Sequence, residues 1–248
     1  MDKAIYVSMT GGKHIARAQA IHSNNLANAN TAGFRADYEQ ARAMGIYDGA
    51  GFETRAYSLA ENPGTDFAFG SLQNTGGDLD IAVDGEGWIA VQGANGQEAY
   101  TRAGSFRVDA DGRLLTAAGQ LVLGDSGPLT LPPLEKVEIG FDGTITVREQ
   151  GQAPNAVGQL GRLKLVNPSN AQLAKGEDGL MYLRAGEPKL KADENLRVRS
   201  GFIEGSNVNV VDEFTQVIAL ARQFDMHMKM MRTTADNSAA ATKLLQLS

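Results

Sequence analysis

The sequence predicts an α+β protein in which long N- and C-terminal helices pair as a coiled-coil-like domain, with a mainly antiparallel β domain inserted between them. Helical periodicity at both ends of the chain and strand patterns punctuated by Asp-Gly in its middle predict this arrangement. Neither terminal helix has an obvious partner within its own half of the chain, so we expect the two to meet. The predicted parts are an N-terminal helix at 1–34, an extended connector at 35–75, the β domain at 76–200 and a C-terminal helix at 201–248.

Residues 3–28 hold good helix formers and no proline, and turn-forming residues follow them. A narrow stripe on this predicted helix consists largely of small residues. Such a stripe lets a helix approach a neighbour closely but buries little apolar surface by itself. The stripe consists of Ile5, Met9, Gly12, Ala16, Ser23 and Leu26.

Residues 208–247 carry a heptad pattern, with apolar or small residues at alternating steps of four and three. Asn209 is the predicted N-cap, and Asp212 lies at the favourable end of the helix dipole. About 40 residues make a helix of roughly 60 Å, and a heptad series of this length predicts coiled-coil packing. The series is Val210, Phe214, Val217, Ala221, Phe224, Met228, Met231, Ala235, Ser238, Thr242 and Leu245.

The middle of the chain predicts antiparallel strands. Leu79, Ile81 and Val83 alternate with more polar residues, which is typical of a half-buried strand. Residues 137–147 predict a hairpin around Asp142-Gly143, for which we expect a type I′ turn. Later strands are predicted at 160–166, 180–183 and 196–199.

Composition excludes several classes of protein. The 248 residues carry a net charge of −6 with no basic stripe, so the usual footprint of a nucleic-acid binder is absent. There is no cysteine for disulfide or thiolate chemistry. No apolar run approaches the roughly 20 residues of a membrane span, and the first residues lack the pattern of a cleaved signal peptide.

Apparent chemical motifs have simpler explanations. Residues 85–90 fit the letters of a dinucleotide fingerprint, but a strand is predicted after them where that motif requires a helix. Residues 109–112 are similar to the start of a calcium loop but predict a hairpin turn. His14, His22 and His227 lack metal-ligand spacing. We therefore predict no catalytic, cofactor or metal site, and no cofactor.

Two groups of residues near the predicted helices each have two possible interpretations. The methionines around His227 favour adaptable packing over a soft-metal site, because helical spacing spreads them around the axis. The asparagines have two open interpretations: they cap a helix terminus, or their amides bond to neighbouring chains. The residues concerned are Met226, Met228, Met230 and Met231, and Asn24, Asn25, Asn28 and Asn30.

Four segments resemble the signatures of flagellar rod and hook proteins. They are SNNLANANTAGFR at 23–35, LDIAVDGEGW at 79–88, YTRAGSF at 100–106 and GFIEGSNVNVVDE at 201–213. They follow the family's order and together span most of the chain. The opening MDKAIYVSMTG is most similar to the proximal-rod member, and the short connector favours the same choice over a distal-rod or hook-type subunit.

The resemblance implies a structural protein that is not an enzyme. Its terminal helices would assemble helically into a hollow, torque-transmitting shaft, with copies of itself and other rod subunits as partners. The resemblance also implies export through the flagellar type III apparatus, without a cleaved signal peptide, to the periplasmic rod of the basal body. Neither nucleic acid nor membrane insertion is expected.

The assembly interface is then expected on the terminal helices and the turn that follows the first of them. The residues are Ile5, Met9, Ala16, Asn24, Asn25, Leu26, Asn28, Gly33, Phe34, Val210, Phe214, Val217, Ala221, Phe224, Met228, Met231 and Leu245.

Two other functions are compatible with parts of the sequence. A cell-wall-binding β module could stack sugars on Trp88 and Tyr100, although the strand pattern around Trp88 favours a core aromatic. An enzyme would have to use scattered acids such as Asp80, Asp84 and Glu86, for which solvation on the polar side of a strand is the simpler explanation.

Overall fold

The computed structural model describes residues 4–39, 41–45, 56–60, 64–132, 134–149 and 158–246. The chain forms two compact units. The helical unit contains Met1–Ala29, Ala36–Asp66 and Val208–Ser248, and the β unit contains Asn30–Arg35 and Phe67–Asn207.

Two long α-helices, a short 3-10 helix at Asn170–Gln172 and twenty short strands make up the regular structure of the described residues. Helix α1 spans Ala4–Ala27 and α2 spans Val210–Gln246, which confirms a helix at each end of an otherwise antiparallel β protein. The strands are β1 Asp37–Tyr38, β2 Ala41–Gly45, β3 Ala56–Ala60, β4 Gly64–Thr65, β5 Leu72–Asn74, β6 Ile81–Asp84, β7 Trp88–Gln92, β8 Glu98–Thr101, β9 Phe106–Val108, β10 Leu114–Thr116, β11 Leu121–Gly124, β12 Gly127–Pro128, β13 Leu134–Ile139, β14 Thr144–Glu149, β15 Gly158–Arg162, β16 Leu165–Val166, β17 Leu173–Lys175, β18 Met181–Leu183, β19 Arg197–Ser200 and β20 Phe202–Glu204.

The start of α2 has the predicted N-cap. The Oδ1 atom of Asn209 accepts a hydrogen bond from the backbone N–H of Val211 at 3.1 Å, and Asp212 and Glu213 occupy the first turn. An N-cap side chain satisfies one of the backbone donors that a helix start leaves unpaired, and the acids complement the helix dipole. These residues fix where α2 begins.

In the helical unit, α1 and α2 lie side by side and run antiparallel. His22 of α1 contacts Glu213 near the start of α2, whereas Gly11 lies against His227 further along. The strands β1–β5 fall in the predicted connector, and two of their pairs, β1 with β4 and β2 with β3, belong to this unit. Helix α1 also packs on β1 and β3.

The β unit is built from antiparallel strand pairs. The largest sheet runs β17-β18-β8-β7-β11-β10-β9, with β12 added to β11 and β16 added to β7. A three-stranded sheet, β13-β14-β15, and the pairs β19-β6 and β20-β5 complete the described strands of this unit. The predicted strands at 160–166, 180–183 and 196–199 all fall on observed strands.

Two details of the β unit differ from the sequence prediction. The hairpin joining β13 and β14 exists, but its turn is not type I′, because Gly143 has a positive φ of 81° while no described residue other than glycine has one. Strand β6 does not alternate, because Ile81, Ala82 and Val83 are all buried. Both sides of β6 are therefore covered, and a period of two does not appear.

The main core of the β unit lies among the strands of several sheets. Its fully buried members include Ile81, Ile89, Leu114, Ile145 and Leu163. A second cluster surrounds Trp88 and Tyr100, both at most 5% exposed. The two aromatic residues considered for sugar stacking therefore lie largely in the core, as the strand pattern around Trp88 favours.

Candidate assembly interface

One side of α2 exposes large apolar side chains. Val211 is 69% exposed, Phe214 55% and Ile218 40%. Val210 and Met228 lie on the same side of the helix and are also exposed. We call these five residues the outer stripe.

A different side of α2 is half-buried. Glu213, Val217, Leu220, Phe224, His227, Met231 and Thr234 recur at steps of four and three. Among the described elements, α1 is the one against which α2 packs extensively, so this side faces α1. We call these seven residues the inner stripe. The predicted heptad series combined positions from both stripes, because Val217, Phe224 and Met231 belong to the inner one, whereas Val210, Phe214 and Met228 belong to the outer one.

The buried side of α1 also shows steps of three and four. Ser8, Gly11, Ile15, Ala18, His22 and Asn25 are buried or half-buried at these steps. The stripe predicted from sequence is displaced from this side, since Met9, Ala16 and Ser23 are exposed. Small and polar residues line the observed side, so an apolar periodicity cannot identify it.

Glu213 joins the two helices through polar contacts. Its Oε2 lies 2.5 Å from Nδ1 of His22, and its Oε1 accepts a hydrogen bond from Nδ2 of Asn25 at 3.0 Å. The Asn25 amide also donates to the carbonyl oxygen of Asp37 and accepts from its N–H. Asn25 is 1% exposed, so its amide holds α1, α2 and the start of β1 together. The amide of Asn25 therefore bonds within its own chain.

Further along the same pair of helices, Gly11 allows a close approach. A Cβ atom on Gly11 would lie 2.6 Å from Cε1 of His227, closer than side-chain carbons normally approach. On the adjacent position, a Cβ on Gly12 would meet no atom within 4 Å. The ring of His227 thus occupies space that only glycine leaves free at position 11.

The remaining predicted interface residues lie in several places, and two of them, Leu26 and Ala221, are half-buried on their helices. Asn28 donates from Nδ2 to the carbonyl oxygen of Asn24, a local contact at the end of α1. Gly33 and Phe34 belong to the β unit, where Gly33 has a φ of 68° and a Cβ on it would collide with backbone atoms of Arg102 and Ala103. A side chain at position 33 would therefore not fit against this backbone. The side chains of Ile5 and Leu245 lie outside the described residues.

A buried charge cluster in the β unit was missed by the sequence reasoning. Nη2 of Arg35 donates to Oε1 of Glu204 at 2.6 Å, and Nη1 of Arg102 donates to Oε2 at 3.1 Å. All three residues are at most 2% exposed. Burial lowers the pKa of Arg102 to about 10, although Glu204 opposes the shift. Each of the three residues lies within a segment that resembles a family signature. Nothing in the sequence indicates, however, that Arg35 pairs with Glu204, which is 169 positions away.

The described residues contain no group of three or more histidine or acidic side chains arranged to hold a metal ion. Within the same part of the chain, neither helix is both long and apolar enough to cross a bilayer.

Three segments of the chain match models of known protein families. Residues 5–35 match the family model "Flagella basal body rod protein", residues 82–147 match "Flagellar hook protein FlgE/F/G D1 domain", and residues 199–244 match "Flagellar basal body rod FlgEFG protein C-terminal". Both helices and part of the β unit thus match separate models of flagellar rod and hook proteins.

Full-length relatives extend this result. The flagellar basal-body rod protein FlgF of Escherichia coli (strain K12) is 42% identical over 253 residues, covering all of both chains. The FlgF of Salmonella typhimurium is 40% identical with the same coverage, and the rod protein FlgG of Bacillus subtilis is 30% identical over 94% of this chain and 96% of its own. The chain belongs to the family of flagellar basal-body rod proteins. Within this family it is FlgF-like, as its opening residues indicated, and it is a structural protein rather than an enzyme.

Proposed function

We propose that this chain is a subunit of the proximal rod that assembles through its terminal helices into a hollow, torque-transmitting shaft. The outer stripe of α2 is the observation that carries the proposal. A helix of 37 residues is roughly 55 Å long, and the only extensive cover that the described elements give it is α1.

The exposure of the outer stripe favours burial by other subunits. Isolated helices are marginally stable in water and depend on packing for most of their stability. Large exposed apolar patches on a soluble protein commonly mark an interaction site. Covering Val211, Phe214 and Ile218 with a neighbour's helix would add apolar burial worth roughly 1–2 kcal/mol for each side chain, because about half of each is already covered.

The two stripes of α2 suit two different contacts. The inner stripe would keep α1 and α2 together as a coiled-coil-like pair within one subunit, whereas the outer stripe would bind copies of this chain or other rod subunits. Met226 and Met230 are more than half exposed on a further side of α2. Flexible thioether side chains adapt to different neighbours, which suits a subunit that contacts more than one kind of partner.

The same hypothesis implies how the chain is exported from the cytoplasm to the rod. We infer that the chain leaves the cytoplasm unfolded through the flagellar type III apparatus, without a cleaved signal peptide, and orders its helices fully on assembly. The absence of cysteine supports this route, since no disulfide can form before export. Coupling of helix ordering to association would delay polymerisation until a subunit reaches the growing tip.

Incorporation into basal bodies tests the proposal. A strain lacking this gene should be non-motile, and a tagged full-length copy should restore swimming and co-purify with basal bodies. Blocking the flagellar export apparatus should trap the tagged chain in the cytoplasm at its full length. Motility without the gene, or periplasmic accumulation when the apparatus is blocked, would contradict the proposal.

A further inference from the structure

A cavity of about 420 Å³ in the β unit lies over the buried charge cluster. Arg35 and Arg102 line it together with Trp88, Phe69, Glu86 and Ser169. Polar and aromatic groups therefore surround one space, a combination typical of a site that recognises a specific chemical group.

The two arginines have donors that the cluster does not use. Nε and Nη1 of Arg35 and Nε of Arg102 find no acceptor among the described residues, although both side chains are only 2% exposed. Glu204 already accepts from both guanidinium groups and from the backbone N–H of Gly70. Buried guanidinium donors normally have acceptors, so these three nitrogen atoms point to a ligand with acceptor oxygens.

The charge and shape of the cavity specify that ligand. Two buried guanidinium groups face one buried carboxylate, which leaves an excess positive charge that a second carboxylate would balance. Planar guanidinium groups match carboxylates with paired hydrogen bonds. The aromatic face of Trp88 suits the methylene groups of an acidic side chain better than a free inorganic anion.

We propose that this cavity is a carboxylate-binding pocket that receives an aspartate or glutamate side chain from an adjacent rod subunit. The adjacent subunit rests on the function proposed above, whereas the carboxylate chemistry does not. Copies of this chain have a net charge of −6, so acidic side chains are abundant on its neighbours.

Phe69 and Glu86 control entry to the pocket. The guanidinium carbons of Arg102 and Arg35 lie 5.0 Å and 5.8 Å from the centre of the Phe69 ring, which is 56% exposed. The ring therefore lies over both guanidinium groups, and more than half of it faces solvent. The exposed Glu86 carboxylate contributes to the electrostatic environment of Arg102 and competes with an incoming acid.

Titration of the full chain tests the chemistry. Trp88 is the single tryptophan, so its fluorescence reports on the pocket directly. The probes are acetyl-glutamate methylamide, its glutamine counterpart and inorganic phosphate. We expect the glutamate probe alone to saturate the signal, and Glu86→Gln to tighten its binding roughly threefold, the size typical of one exposed charge interaction. Phe69→Ala should also tighten binding.

The outcomes separate the possibilities. Equal responses to the glutamate and glutamine probes, or no response from wild type and Phe69→Ala, would overturn the carboxylate pocket. Tighter binding of phosphate would identify a free anion as the ligand and overturn the subunit contact.

Photo-crosslinking from position 69 in purified basal bodies then tests the neighbour. Crosslinks to acidic segments of an adjacent subunit support the proposal, and crosslinks confined to its own chain overturn it. If the chain is absent from basal bodies altogether, the proposed function fails, whatever the titration shows.

Discussion

Oε2 of Glu213, near the start of α2, lies 2.5 Å from Nδ1 of His22, near the end of α1. The two residues are 191 positions apart and are largely shielded from solvent. The same carboxylate accepts the Asn25 amide, so one acidic side chain fixes the two ends of the sequence against each other. The acid also lies in the first turn of α2, where the helix dipole favours negative charge.

Replacing Glu213 with alanine should loosen the helix pair. The substitution removes the acceptor for both His22 and Asn25, which should lower the free energy of unfolding of the helical unit by about 1–2 kcal/mol. Far-ultraviolet circular dichroism during thermal unfolding would measure the change. Asp225→Ala, on an exposed position of the same helix, is the matched control and should change the stability by less than about 0.5 kcal/mol. Equal effects of both substitutions would show that the contact does not hold the helices.

Adjacent glycines in α1 should respond to alanine in opposite directions. Gly12→Ala should stabilise the helix by roughly 0.5–1 kcal/mol, because alanine is the better helix former and its Cβ meets no atom within 4 Å. Gly11→Ala has the same propensity gain but places its Cβ 2.6 Å from His227, so it should be destabilising. Urea unfolding of the two variants compares them directly. A gain in stability at both positions would mean that α1 and α2 do not approach closely at Gly11.

The buried cluster of the β unit should depend on its single buried carboxylate. Glu204→Gln leaves two buried guanidinium groups without a countercharge and should lower the free energy of unfolding by about 3–5 kcal/mol. Trp88 fluorescence during urea unfolding reports on this unit. Asp84→Asn removes an exposed ion pair with Arg199 and should cost less than about 1 kcal/mol. If the two variants are similarly stable, the cluster does not stabilise the β unit.

Tyr182 should ionise at a higher pH than a tyrosine exposed to solvent. Burial, followed by the hydrogen bond to Asp178, raises the pKa of Tyr182 to about 12. The folded state therefore keeps a proton that the unfolded state releases near pH 10. This contribution to stability is complete below pH 10 and is lost as the pH rises towards 12.

Near-ultraviolet absorbance titration, with Tyr182→Phe to assign the signal, should show that Asp178→Asn lowers the pKa of Tyr182 part of the way to 10. An unchanged pKa in Asp178→Asn would exclude the Asp178 contribution.

The sequence predicted the helices and strands more accurately than it predicted which side of each helix is buried. Both helices, the N-cap at Asn209 and the hairpin at Gly143 depend on local patterns, so they were predictable. The packed side of α1 was not, because Ser8, Gly11 and Asn25 provide close approach and hydrogen bonds rather than an apolar stripe. On α2, apolar residues cover more than one side, and periodicity alone cannot divide the side facing α1 from the side left exposed.

Long-range polar contacts also could not be predicted from the sequence. Arg35, Arg102 and Glu204 meet only after the β unit folds, and each looks like a solvated surface charge in the sequence. Trp88 was assigned correctly to the core, yet its contact with the cavity depends on residues 67–69 and 167–170, which sequence periodicity does not connect.

The structure shows which phenylalanine of α2 is the more selective test of assembly. Phe224 lies on the inner stripe, so Phe224→Asp would disturb the contact with α1 as well as any contact with a neighbour. Phe214 is 55% exposed on the outer stripe, so a charge there should leave the helix pair of the subunit intact.

Incorporation of Phe214→Asp into basal bodies is therefore the most direct measurement of whether the outer stripe joins subunits. We predict that the purified variant keeps wild-type circular dichroism and unfolding behaviour, while cells producing it are non-motile and their basal bodies lack the tagged chain. Gln216→Asp, an equally acidic change at an exposed position outside both stripes, should be incorporated normally. Normal swimming and full incorporation of Phe214→Asp would contradict the assignment of the outer stripe as a subunit interface.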